Sequence, residues 1–168
     1  MEKLIDISSY PVAQVLDILL QDRTTKKNII WATDTYEELG EEFTDKVQLD
    51  ANAILRRTDL IRPRIQKSQE AQAERTRKKA EVFTPAWLCN QMNNHCDEDW
   101  FGRSGVFNTE NADTYEDWLK WVIRAFEASY GYEYQGDNVL IARINLLLTF
   151  TDYFEERWKR QPDDKLLQ

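Results

Sequence analysis

Side chains that could hold a metal ion lie close together near the middle of the chain. Cys89, His95, Cys96 and Asp97 are donor types, but zinc needs four converging ligands and the sequence supplies no second Cys/His pair. On a continuous helix the two cysteines would lie about 10 Å apart along the axis. That separation is too large for a disulfide. The sequence therefore predicts buried thiols and no metal site.

Other common catalytic patterns find little support. The single histidine, His95, has no Ser or Cys motif around it that indicates a catalytic triad. The glycines never fall in the order G-x-G-x-x-G or G-x-x-x-x-G-K, so no glycine loop for nucleotide phosphates is expected.

Positive charge is concentrated in one segment of an acidic chain. Between Arg62 and Lys79 there are seven basic and two acidic residues, a local charge of +5. With a chain total of −8, the remainder carries −13. Such asymmetry can steer a polyanion or an acidic partner to one face. The candidates for nucleic-acid binding are Arg64, Lys67, Arg75, Arg77, Lys78 and Lys79. The alternative is an ordinary solvated helix face.

Three ordered segments carry a more specific pattern. Residues 81–85 read EVFTP, residues 130–133 read YGYE, and residues 140–148 read LIARINLLL. They resemble the first conserved motif, the acidic strand and the following helix of the amino-methylating DNA methyltransferases, the modification subunits of restriction–modification systems. Residues 19–34 also resemble a stretch found in chains labelled restriction-endonuclease M subunits. The resemblance extends over residues 19–168.

The resemblance implies roles for four residues. In that family the first motif lies against the methionine end of S-adenosylmethionine, which implies that Phe83, Thr84 and Pro85 are cofactor-binding residues. The acidic residue after the second strand accepts hydrogen bonds from the ribose hydroxyls, which implies the same role for Glu133. Two simpler interpretations stay open: Thr84 only caps a helix, and Glu133 is an ordinary residue of a surface strand.

The chain also departs from the family in the parts that perform the reaction. The glycine turn D-P-x-x-G-x-G is missing from the interval between the motifs, where residues 104–110 read SGVFNTE. The catalytic loop [ND]-P-P-[YF], which in the family holds the target amine and stacks on the flipped base, is also missing. None of the four prolines is adjacent to another. We therefore expect no catalytic residue for methyl transfer.

The elements that must position these residues follow from periodicity and from turn residues. Apolar spacing and capping residues predict helices over 11–21, 85–95, 114–129 and 137–159. Residues 28–33 and 130–134 are short strand candidates, and 97–111 is predicted to be a loop. Residues 65–80 have high helix propensity but almost no apolar stripe, which indicates a polar, exposed helix. The pattern over 45–59 is mixed and gives no assignment.

We expect an α-rich α/β fold in a single domain, with few short strands covered by helices and a partial methyltransferase-like core. Length and composition agree, since 168 residues with 42% apolar content suffice for one core. The sequence divides into an N-terminal helix and strand region over 1–61, a polar basic helix or linker over 62–80, and a partial methyltransferase-like region over 81–168.

Composition also bears on location. The sequence has no run of about 18 apolar residues and no signal-peptide pattern at its start, so we expect a cytoplasmic protein with no membrane partner. Its two cysteines fit a reducing compartment.

Two functions from different classes fit these observations. The first is a shortened, M-subunit-like protein of a restriction–modification system that cannot methylate by itself and retains a partial surface for S-adenosylmethionine. The second is an acidic interaction or decoy protein that binds a restriction or modification subunit. DNA is a further candidate partner, and a homodimer is another, because a truncated sheet would expose an edge that needs cover.

Overall fold

The computed structural model describes residues 5–63, 85–101 and 112–168, and helices dominate these residues. In chain order the helices are α1 (Val12–Leu20), α2 (Ala51–Arg56), α3 (Ala86–Phe101), α4 (Tyr115–Glu127), α5 (Gly136–Trp158) and α6 (Asp164–Leu167), with single 3-10 turns at Glu37–Leu39 and Glu41–Phe43. The chain forms two compact units. The first unit combines Met1–Lys67 with Gly131–Gln168, and the second unit is Ser68–Tyr130.

Helices with a strong local signal form where the sequence predicts them. Helix α1 buries Val12, Val15, Leu16 and Leu20, which share one helical face. Helix α5 buries Leu140, Ile144, Thr151 and Phe154, the positions of the predicted 3.5-residue spacing. It ends at Trp158, and the next residue, Lys159, adopts the left-handed conformation. The predicted α-rich character is therefore confirmed.

The core of the first unit joins both parts of the chain that form it. Trp31 is fully buried, its ring lies 5.2 Å from that of Tyr36 and 5.6 Å from that of Phe43, and its indole N–H donates to the carbonyl oxygen of Glu42 at 3.1 Å. Leu140 and Ile144 of α5 belong to the same cluster. Helix α5 therefore completes a core that residues 5–61 begin.

The segment 28–33 pairs with residues 45–49 but forms less than a strand, and Ala32 within it adopts the left-handed conformation. The amide of Leu49 donates to the carbonyl of Ile29 at 2.8 Å, and the amide of Trp31 donates to that of Val47 at 3.0 Å. Within the described residues this pairing amounts to one isolated antiparallel bridge, Ile30 with Gln48, and a second isolated bridge pairs Asn28 with Gln21 at the end of α1. Residues 130–134 form no strand, so that prediction is wrong. The described residues are therefore rich in helix and contain no sheet.

Helix α2 lies in the stretch that the sequence pattern left unassigned. The carboxylate of Asp50 accepts a hydrogen bond from the amide of Ala53 at 2.8 Å and so caps the first turn. The helix buries Ala53 and Ile54 against the core of the first unit. At six residues it is too short to show a clear helical period.

The second unit contains α3 and α4. Helix α3 continues to Phe101, beyond the predicted end near His95, so the loop predicted from residue 97 is wrong as far as residue 101. Cys89 and Cys96 are exposed and are not joined by a disulfide, and the prediction of buried thiols is therefore also wrong. Helix α4 begins after Thr114, whose hydroxyl accepts the amide of Asp117 at 3.2 Å, as the sequence predicts.

Several predictions concern residues outside the described ranges. The polar helix predicted over 65–80 concerns such residues, as does most of the basic linker predicted over 62–80. The three-region division of the sequence stays a prediction. The two compact units of the structure divide the chain differently, because residues 131–168 belong to the same unit as the N-terminal part. No helix in the described ranges has both the length and the apolar character needed to cross a bilayer.

Candidate functional site

The first unit contains an open cleft where helix α5 begins. Its volume is about 510 Å³. We call it the α5 cleft, and its lining residues are Asp22, Thr25, Lys27, Asn28, Ile29, Ile30, Gln48, Glu133, Tyr134, Gly136 and Val139. The walls therefore come from the turn after α1, the extended segment that follows it, and the start of α5.

The turn over residues 22–27 forms one wall, and Asp22 organises it. The amide of Asp22 donates to the carbonyl of Lys27 at 2.8 Å, and the amide of Lys26 donates to the carbonyl of Asp22 at 2.8 Å. The carboxylate accepts from the amide of Thr24 at 2.7 Å. This backbone hydrogen bond is the main cause that lowers the pKa of Asp22 below its ordinary value. The turn thus holds a carboxylate at the cleft.

Two amide side chains hold the extended wall in place. The backbone amide of Asn28 donates to the side-chain oxygen of Gln48 at 3.0 Å, and the side-chain amide of Asn28 donates to the backbone carbonyl of Leu49 at 2.8 Å. Both bonds cross about twenty residues of sequence and bring the two segments together. The polar groups of this wall are therefore partly used to maintain it.

Helix α5 begins in direct contact with the extended segment. The amide of Gly136 donates to the carbonyl of Trp31 at 2.9 Å. A Cβ atom at residue 136 would overlap the carbonyl oxygen of Ile30 and would lie 2.9 Å from the Cδ1 atom of Leu49. Only glycine permits this approach, which sets the floor of the cleft.

The carboxylate of Glu133 lies at the rim of the cleft and is exposed. Its Oε1 atom accepts from the amides of Tyr134 at 2.8 Å and Gln135 at 3.0 Å. Among the described residues no hydrogen bond engages Oε2. One oxygen therefore orders the backbone that leads into α5, and the other is accessible to a ligand.

Behind the cleft, the first turn of α5 is fixed by a buried carboxylate. The hydroxyl of Tyr36 donates to Oδ2 of Asp137 at 2.6 Å, and the amide of Asn138 donates to Oδ1 at 3.0 Å. Both Tyr36 and Asp137 are buried. Further along α5, the guanidinium of Arg143 donates to the carbonyls of Leu19 at 2.6 Å and Gln21 at 3.1 Å. These bonds tie α5 to the end of α1.

The predicted site residues are distributed over both units and beyond the described ranges. Glu133 lies at the α5 cleft in the first unit. Pro85 is exposed in the second unit, and its carbonyl accepts from the amides of Leu88 at 2.9 Å and Cys89 at 3.1 Å at the start of α3. Phe83 and Thr84 lie outside the described residues, as do the six basic residues of the predicted nucleic-acid site: Arg64, Lys67, Arg75, Arg77, Lys78 and Lys79.

Sequence reasoning missed five polar residues of the cleft, which are Asp22, Thr25, Lys27, Asn28 and Gln48. The first four belong to the segment 19–34, whose resemblance to M subunits was the one available signal. No sequence pattern indicated Gln48, because only the fold brings it next to Asn28.

The lining carries charged groups of both signs, the carboxylates of Asp22 and Glu133 and the ammonium of Lys27. The described residues contain no cluster of three or more side chains suited to a metal ion. The Lys27 ammonium and the accessible oxygen of Glu133 can bind polar groups of a ligand. For the ribose of S-adenosylmethionine the fit is partial, since the turn into α5 already uses Oε1 of Glu133.

Comparison with known proteins gave no match to this chain: no protein-family model, no curated protein and no solved structure is significantly similar.

Proposed function

We propose that this chain is a methyltransferase-like protein of the restriction–modification type that binds S-adenosylmethionine weakly and does not transfer a methyl group by itself. The observation that carries the proposal is the position of Glu133. Its carboxylate lies at the rim of an open cleft, immediately before α5, and offers one accessible oxygen. The same residue and the same helix carry the motif resemblance described above.

The cleft supports binding of a nucleoside-sized ligand. Its volume of about 510 Å³ lies in the range of small-molecule sites, which is roughly 300–1,000 Å³. A ribose hydroxyl can donate to Oε2 of Glu133, and the Lys27 ammonium can bind a carboxylate group. Because the cleft is open and only one oxygen of Glu133 is accessible, we expect the affinity to be low.

The absence of methyl transfer follows from the sequence. In the family that the chain resembles, transfer to a base amine depends on a loop with two adjacent prolines, and this chain has no such pair. A base flipped from DNA also needs an enclosed pocket with an aromatic residue to stack on it. Tyr134 is the one aromatic residue of the α5 cleft, and its side chain is 83% exposed.

Isothermal titration with S-adenosylmethionine tests the proposal. We expect a dissociation constant on the order of 0.1–1 mM, equivalent to roughly 4–5.5 kcal/mol, and no transfer of labelled methyl groups to DNA. Glu133→Gln should weaken binding at least tenfold, because the amide keeps one oxygen for the turn but loses the second acceptor. Glu156→Gln, at an exposed position of α5, is the matched control. Binding weaker than 1 mM, an unchanged Glu133→Gln variant, or methylated DNA would each contradict the proposal.

A pair of exposed tyrosines favours the second candidate, an acidic interaction or decoy protein that binds a restriction or modification subunit. Tyr132 and Tyr134, both in the first unit, are 100% and 83% exposed and lie two residues apart on an irregular segment. Tyrosine supplies large contact areas at protein interfaces and is enriched in them.

Purified restriction and modification subunits, titrated against the chain in a binding assay, test this second candidate. Tyr132→Ala should then weaken binding at least tenfold, whereas Tyr153→Ala, a change at a 64% exposed tyrosine of α5, should have little effect. If neither subunit binds at concentrations up to about 100 µM, equivalent to roughly 5.5 kcal/mol of binding free energy, the interaction function is excluded.

A further inference from the structure

Helix α4 carries an exposed groove within the second unit. Two parallel rows with a spacing of four residues form it, an apolar row of Tyr115, Leu119 and Ile123 and a charged row of Glu116, Lys120 and Arg124. The groove has a volume of about 440 Å³. Trp118 and Val122, on another face of the helix, are buried, whereas Ile123 is 48% exposed. The apolar surface of α4 is therefore only partly covered.

The charges along this groove are separated from end to end. Glu116 lies in the first turn of α4, and Arg124 lies in the last turn. Neither forms an ion pair with another of the described residues. The guanidinium of Arg124 lies over the ring of Trp121 at 4.6 Å, which holds it near the helix surface. One end of the groove is negative and the other is positive.

This pattern is self-complementary when two such helices run antiparallel. Eight residues separate Glu116 from Arg124, about 12 Å along the helix axis. A two-fold axis at the level of residue 120 places each Glu116 beside Arg124 of the other copy. Ridges of residues spaced by four also fit into the matching grooves of a second helix. A parallel arrangement would instead bring like charges together.

We propose that the α4 groove binds the α4 groove of a second copy of this chain, with the two helices antiparallel and related by a two-fold axis. Leu119 and Ile123 form the apolar contact, and two Glu116–Arg124 pairs flank it. The two Lys120 side chains lie close to the axis and weaken the contact. The proposal is independent of the proposed function, since it uses only residues of the second unit.

The interface is small, and the dimer is correspondingly weak. One face of a 13-residue helix buries less than the roughly 1,200 Å² of stable protein complexes. We expect a dissociation constant on the order of 100 µM, as in transient contacts. The dimer therefore forms only where the chain is abundant or is held on a common partner.

Sedimentation equilibrium over a range of chain concentrations tests the proposal with paired charge reversals. Glu116→Arg and Arg124→Glu should each weaken self-association at least tenfold, because each variant places like charges at both ends. Mixing the two variants should restore association as a heterodimer, since both ends then pair opposite charges. Lys120→Gln should strengthen self-association. Glu156→Arg, the same change on α5 of the first unit, is the control and should behave as the unchanged chain.

Three outcomes would overturn the proposal. The first is an unchanged chain that stays monomeric at concentrations of about 1 mM, well above the weak range of protein contacts. The second is a dimer that both charge reversals leave intact, which would assign it to another surface. The third is a mixture of the two variants that remains monomeric although circular dichroism shows both to be folded.

Discussion

Gly136 shows how much a single missing side chain determines in the first unit. Its backbone lies against the carbonyl of Ile30, and any Cβ atom there would meet backbone that cannot move without disturbing the contacts around Trp31. The sequence shows a glycine before a helix, which is compatible with an ordinary turn. Only the packed structure shows that the helix start depends on it.

Gly136→Ala should lower the free energy of unfolding by about 1–3 kcal/mol, the usual range for overpacking. Gly131→Ala is the matched control, because no atom lies within 4 Å of a Cβ built there. It should change stability by less than about 0.5 kcal/mol. Urea unfolding followed by tryptophan fluorescence measures both. Equal effects of the two substitutions would refute the close approach at Gly136.

The contact between Tyr36 and Asp137 gives a second test at this scale. Tyr36→Phe removes a 2.6 Å hydrogen bond to a fully buried carboxyl group and leaves that group with one donor fewer. We expect a loss of about 1–3 kcal/mol. Tyr132→Phe, at a fully exposed tyrosine, should leave the urea midpoint unchanged. A Tyr36→Phe variant as stable as the unchanged chain would show that the bond contributes nothing to folding.

At the scale of elements, the turn over residues 22–27 gives one carboxylate, that of Asp22, a pH-dependent effect on stability. Folding lowers the pKa of Asp22 below its ordinary value of 3.8, mainly through the backbone hydrogen bond from Thr24. A carboxylate with a lowered pKa stabilises the folded state above the pKa of the unfolded chain. That contribution is lost as the pH falls through the lower, folded value.

The stability difference between the unchanged chain and Asp22→Asn should therefore depend on pH. The unchanged chain should have the larger advantage at pH 6, and the advantage should shrink as the pH is lowered from 4 towards 2. Urea midpoints of the two proteins at each pH measure it, and the comparison cancels the contribution of the other carboxylates. A difference that stays constant or grows on acidification would contradict the lowered pKa.

Helix α4 depends strongly on its cap, because only Trp118 and Val122 of its 13 residues are buried. Thr114→Ala removes the acceptor for the amide of Asp117 and should destabilise the helix by about 1 kcal/mol. Amide hydrogen exchange over residues 115–127 should accelerate roughly fivefold as a result. Thr114→Ser retains the hydroxyl and should exchange at nearly the original rate. Equal exchange in the Ala and Ser variants would exclude the cap.

The sequence predicted those helices whose capping residues and apolar spacing lie within the helix itself or next to it. Thr114 and the apolar spacing after it define α4, and Leu140 to Phe154 define α5 without further information. The pairing of Ile29 with Leu49 was not predictable in this way, since it depends on a partner twenty residues away. The aromatic segment 130–134 has strand propensity, yet no neighbouring strand pairs with it among the described residues.

At the scale of the molecule, charge is separated along the chain. The +5 segment from Arg62 to Lys79 and the −13 remainder predict weak, salt-dependent binding to DNA through the basic segment. Replacing Arg75, Arg77, Lys78 and Lys79 by glutamine should abolish binding at low salt, measured by fluorescence anisotropy with a labelled duplex. Replacement of four acidic residues, Glu37, Glu38, Glu41 and Glu42, is the reciprocal control and should strengthen binding. Undetectable binding of the unchanged chain at low salt would remove DNA as a partner.

Of the residues that line the α5 cleft, the sequence analysis named only Glu133 as a site residue. Glu133 lies at the cleft, because the motif that indicated it immediately precedes α5. The rest of the cleft comes from residues 22–30 and Gln48, which the fold brings to α5 across about a hundred residues of sequence. Local patterns carry no information about such distant contacts, so sequence could suggest the acidic residue and not the surface around it.

Because two distant parts of the chain form the first unit, its core cannot be completed until synthesis has reached α5. Leu20 and Leu140 lie in one cluster and are 120 positions apart. At roughly 5–20 residues per second, the ribosome produces the second leucine about 6–24 s after the first. Throughout that interval Trp31 and Leu49 have no α5 to cover them. During synthesis the apolar surface around Trp31 therefore stays exposed until α5 has been made, which leaves time for chaperones to bind.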